Sequence, residues 1–157
     1  MTTAKRPSAR LRLSEARNVI SKIWFSGAGV AGLVLAVLSI LRGQADVARD
    51  TWSWFLPLVL PTLGLIIGVL GAAALTTQKE TYVRRSYYEL AKYLSLAYFL
   101  LMLLVIFMEP LSPLKGTALY GVSNYWMSPF QALVTAALGY MFTSGQAQMT
   151  SKPGEEG

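Results

Sequence analysis

The chain has no cysteine and no histidine among its 157 residues, and only 14% of them are charged. Without those two residue types it forms no disulfide, no thiolate nucleophile, no His-ligated haem and none of the usual zinc sets, and a histidine-dependent triad is excluded too. A metal site would have to be built from carboxylates. The eight acids (Glu15, Asp46, Asp50, Glu80, Glu89, Glu109, Glu155, Glu156) are scattered, with no acidic pair inside an apolar run. No glycine-rich phosphate loop follows a strand pattern. The expectation is therefore a protein that is not an independent enzyme, with no catalytic residue, no cofactor and no metal.

What fills the chain instead is apolar: 54% of residues are hydrophobic and the mean hydropathy is +0.44. Four runs stand out, at 23–41, 55–75, 90–108 and 126–142, with Lys92 the one charge inside them. At about 1.5 Å per residue each covers roughly 26 to 32 Å, close to the roughly 30 Å hydrocarbon core of a bilayer. Hydrocarbon satisfies no backbone N–H or C=O, so runs of this length are expected as helices, and the alternation of a membrane barrel is absent. The fold class read from the sequence is an all-α membrane protein, four transmembrane helices in a compact bundle.

The basic residues give that bundle a direction. Lys5, Arg6, Arg10, Arg12, Arg17 and Lys22 precede the first run; Lys79, Arg84, Arg85 and Lys92 lie between or at the edges of the second and third; Lys152 is in the tail. Only Arg42, Arg49 and Lys115 remain for the other two connections. The positive-inside rule then predicts both termini and the middle connection in the cytoplasm, of a plasma or bacterial inner membrane. The same rule gives the organisation: a basic cytoplasmic arm over 1–22, the membrane domain over 23–142, and a polar cytoplasmic tail over 143–157. The first run is read as an anchor, because it is longer than a signal-peptide core and no clear small-residue cleavage site follows it.

A formal charge of +6 would suggest nucleic acid in a soluble protein, but basic residues this close to spans serve topology and attract anionic headgroups. The partners expected are anionic lipid on the cytoplasmic side and further membrane protein, not nucleic acid. Lys5, Arg6, Arg10, Arg12, Arg17, Lys22, Lys79, Arg84 and Arg85 are the candidate contacts. Within the arm, Leu13, Ala16, Ile20 and Ile23 recur at helical spacing, which predicts either a short interfacial helix or an extension of the first span. The middle connection lacks Gly and Pro, so its flanking helices are expected to run on and turn near 76–77. The outer loop over 109–125, with Pro110, Pro113, Gly116 and Gly121, is expected to be ordered and non-helical.

Small residues repeat at four-residue spacing in three of the runs: Ala28, Gly32 and Ala36; Gly64, Gly68 and Ala72; Ala132 and Ala136, with Gly139 beside them. Residues four apart share a helix face, and a face without bulk lets two backbones approach. Pro57 and Pro61 remove two donors from the second run and predict a bend or a cavity there. Gln131 and Thr135, one turn apart, are candidates to bridge helices or line a polar passage. Proton- or metal-coupled transport needs carboxylates or histidines near the midplane, and no inverted repeat is visible. The function expected is helix–helix assembly, as a homo-oligomer or as the membrane subunit of a complex with a cytoplasmic-side partner. The alternatives are an oligomeric pore or membrane-permeabilising effector, then a small transporter.

Overall fold

The computed structural model describes residues 10–43, 45–75, 82–114 and 116–143. It holds four helices, α1 (Leu13–Arg42), α2 (Ala45–Leu75), α3 (Arg85–Met108) and α4 (Thr117–Thr143), and two short strands, β1 (Arg10–Arg12) and β2 (Tyr82–Arg84). Three stretches, Leu13–Leu41, Ala48–Leu75 and Arg85–Met108, are long and apolar enough to cross a membrane. The fourth helix is long enough, but Ser128, Gln131 and Thr135 dilute its apolar run.

One face of α1 explains why it runs unbroken from the basic arm. Leu13, Ala16, Ile20, Trp24, Ala31 and Leu35 recur at steps of three, four and seven residues and are all buried, the period of a helix packed on one side. The arm residues from Leu13 onward thus extend the first span instead of forming a separate helix. The helix stops at Gly43, whose φ of +62° is a left-handed conformation that glycine adopts without a Cβ clash. Two residues later α2 begins.

The four helices form a ring in the order α1, α2, α4, α3. Residue numbers rise together across the α2·α4 seam, where Thr51 meets Tyr120 and Thr62 meets Thr135. They run oppositely in α3·α4, where Tyr87 packs on Tyr140. The α1·α3 and α2·α4 seams are thus parallel, and the short connections make α1·α2 and α3·α4 antiparallel. β1 and β2 pair antiparallel across one end, with Arg10 opposite Arg84, Leu11 opposite Val83 and Arg12 opposite Tyr82. The chain is therefore strand–helix–helix twice, with equivalent elements side by side. Arg12 and Arg84 even share one backbone conformation as the residues that open α1 and α3, at φ/ψ of −64°/129° and −66°/132°.

Two connections differ from expectation. The middle one contains β2, because Val83 buries its side chain and gains a backbone partner in β1, whose residues lie some seventy positions earlier. The outer one ends at Gly116, nine residues sooner than the composition predicts. Tyr120 and Ser123 are buried against the other helices, and that packing holds 117–125 helical despite Gly121.

Candidate functional site

The bundle core is aromatic on the α1·α3 side. Trp24 is fully buried, stacks on Tyr98 with centroids 5.7 Å apart and meets the edge of Phe99 at 4.9 Å. Its indole N–H donates to Ser95 Oγ at 3.0 Å, and the Ser95 hydroxyl donates onward to the Ala91 carbonyl at 2.7 Å. A Cβ placed on Gly27 would fall 2.7 Å from the Phe99 ring, so the absence of a side chain there admits the ring. Tyr98 reaches across the bundle and donates its hydroxyl to the Leu58 carbonyl at 2.8 Å. Every polar atom in this cluster is satisfied, as an apolar interior requires.

Prolines set the chemistry of the α2·α4 seam. Pro61 has no N–H, so the Pro57 carbonyl one turn earlier loses its helical donor. Gln131 Nε2 donates to that carbonyl across the seam at 3.4 Å. One turn deeper the hydroxyls of Thr62 and Thr135 lie 3.1 Å apart. Near the far end Thr51 Oγ1 and the Tyr120 hydroxyl are 2.9 Å apart, with Tyr120 stacked on Trp54 at 4.9 Å. The four residues singled out as kink or cavity candidates, Pro57, Pro61, Gln131 and Thr135, are thus brought together in one seam, where Gln131 and Thr135 spend their polar groups on α2.

The small-residue candidates divide. Ala28 packs against the core, and an added Cβ on Gly32 would lie 3.8 Å from Phe55, so the first face contributes to the α1·α2 contact. Ala36 is half-buried. Gly64, Gly68 and Ala72 are exposed, and an added Cβ on Gly64 or Gly68 would meet nothing within 4 Å. Ala132 and Ala136 are exposed, and Gly139 is half-buried with open space at its Cβ position. The closest steric fit in α1, Gly27 against Phe99, lies one position away from the repeat. Its signal in the sequence was the glycine itself, one of three between 27 and 32.

The basic candidates gather at the β1–β2 end. Arg12 and Arg84 are exposed there, with Arg85 beside them paired to Glu89 at 2.7 Å. Arg17 instead turns inward and is buried, donating to the Phe142 carbonyl at 3.1 Å with its guanidinium 5.9 Å from the Phe142 ring. A cation against the last carbonyls of a helix is favourable, and α4 has no basic residue of its own in its last turn. Lys22 is exposed on α1. Lys5, Arg6 and Lys79 lie outside the described residues. At the opposite end, an apolar cleft of about 140 Å³ opens between α3 and α4, lined by Leu104, Val105, Met108, Leu119, Val122, Ser123 and Trp126. Ser123 is the one polar residue in that lining, so the cleft offers no reactive constellation. In a comparison with protein-family models, curated proteins and solved structures, the chain matches none of them.

Proposed function

We propose that the chain is a four-span membrane protein with both termini cytoplasmic, working without catalysis through helix–helix assembly. It does so as a homo-oligomer or as the membrane subunit of a complex with a cytoplasmic-side partner. The observation that carries this reading is the row Gly64, Gly68 and Ala72 on α2. Its two glycines have open space where a side chain would stand, and small residues repeated on a membrane helix are the means by which backbones approach closely. Among the described residues, no atom beyond the helix's own nearby backbone stands within 4 Å of the Cβ positions of Gly64 and Gly68. The bundle interior is filled by Trp24, Ile66, Tyr98, Met102 and Leu138, which leaves the outer surface as the place where the protein acts. Conduction, if any, would run between copies.

Assembly is tested by the oligomeric state of the purified chain in nanodiscs, with any copurifying partner, before and after Gly64→Leu and Gly68→Leu. The expected result is an assembly that the substitutions dissolve while membrane insertion persists. A wild-type chain that is monomeric at all concentrations and brings nothing with it defeats the proposal, and ion flux through proteoliposomes would move it to a pore. Topology has its own test, helped by the lack of cysteine. Single cysteines at Ser86→Cys and Ser112→Cys are expected to label from opposite sides of the membrane, and labelling from one side would overturn the assignment.

A further inference from the structure

The fold makes one charged surface from two separated stretches of sequence. In the β1–β2 register Arg12 lies opposite Tyr82 and diagonal to Arg84. Diagonal positions in such a pair lie about 7–8 Å apart, within joint reach of two long side chains. Leu11 and Val83, between them, turn toward the core, Val83 with 2% of its surface exposed. Arg12, Tyr82 and Arg84 stay exposed. Two exposed arginines at this spacing present a cationic surface to an anion that approaches this end of the bundle.

The height of this ribbon selects the anion. The outward apolar faces of the two parallel helices begin at Val19 on α1 and Leu90 on α3, 38% and 51% exposed. Arg12 precedes the first by seven residues and Arg84 the second by six, so the ribbon stands about 9–11 Å above both along the axis. Headgroup layers add roughly 5–8 Å to each side of the hydrocarbon, and a long arginine side chain covers the remainder. We infer that the β1–β2 ribbon, through Arg12 and Arg84, binds the phosphates of anionic lipid headgroups and so fastens the bundle end to the charged leaflet.

This inference rests on the membrane placement proposed above, and the experiment separates the two. The full chain is reconstituted in nanodiscs of phosphatidylcholine with a minority of phosphatidylglycerol, and the lipids it retains are identified by native mass spectrometry. Wild type is expected to retain phosphatidylglycerol selectively. The double variant Arg12→Gln/Arg84→Gln should lose that preference by about fivefold for each arginine removed, and added salt should weaken the wild-type preference. Arg12→Lys/Arg84→Lys keeps the charge and should keep most of the preference, and Arg49→Gln, far from the ribbon, should change nothing.

Equal retention of the two lipids by wild type would overturn the inference, as would a preference that survives the double glutamine variant. So would tight binding of polyglutamate to the protein in pure phosphatidylcholine when lipid preference is absent, which would assign the ribbon to an acidic protein. A chain stripped from membranes by alkaline carbonate fails the membrane placement, whereas one that remains but shows no lipid preference fails this inference alone.

Discussion

The α1·α3 and α2·α4 seams are the two parallel contacts between the strand–helix–helix units, yet they are held by different physics. Across α1·α3 the contact is mainly one of shape: the Phe99 ring sits where Gly27 has no side chain, Trp24 closes over it, and a single described side-chain hydrogen bond, Trp24 to Ser95, crosses the seam. Across α2·α4 it is a ladder of polar pairs, Thr51 with Tyr120, Gln131 with the Pro57 carbonyl, Thr62 with Thr135. The prolines account for one rung of that ladder. They strip donors from α2, and a carbonyl left without a partner in an apolar setting must be satisfied from a neighbour. Steric fit and polar pairing are thus alternative ways to specify the same parallel contact, and the second is the weaker per residue.

The strongest way to break this contrast is Trp24→Ala. It empties the largest side chain of the core, and a loss of about 3–5 kcal/mol is expected in denaturant unfolding of the detergent-solubilised protein. Gly27→Val comes next, at about 1–3 kcal/mol, because the added carbons have no room beside Phe99. Pairing it with Phe99→Leu should recover part of the loss, and failure to do so would mean the contact is not steric. On the polar seam, Thr62→Val is expected to cost about 0.6 kcal/mol and not more than about 1.7, the range for hydrogen bonds between membrane helices. A cost equal to that of Trp24→Ala would erase the difference between the seams. Smallest of all is Gly29→Ala, two residues from Gly27 but facing open space. It should be neutral or stabilising by up to about 1 kcal/mol, from helix propensity alone.

Helix number and approximate position were readable in the sequence, because an apolar run of bilayer length leaves the backbone few alternatives. Pro57 and Pro61 stand out in the sequence, as Gln131 and Thr135 do separately, but that the two sets meet across the α2·α4 seam was not readable there. Which turn-spaced face of α1 points inward was not readable either. Ala28, Gly32 and Ala36 form the more regular pattern, whereas the inward line runs through buried Trp24 and Ala31 with half-buried Gly27 between them. Spacing fixes which residues share a face but not which neighbour that face meets. The ribbon was hidden for a different reason: strands of three residues with charged ends, Arg10–Arg12 and Tyr82–Arg84, have no periodic signal of their own and exist through each other. Helical 117–125 was obscured by Gly121, whose penalty is offset by burial of Tyr120 and Ser123.

The pairing of Leu11 with Val83 also sets an order of events. The first strand leaves the ribosome before any helix, but its partner is made only after both helices of the first unit are complete. Until then the α1–α2 hairpin has an open end, with Leu11 unpaired and the Phe142 carbonyl not yet available to Arg17. The first half of the chain is thus finished by the second, as a clasp is closed by the last link threaded through it.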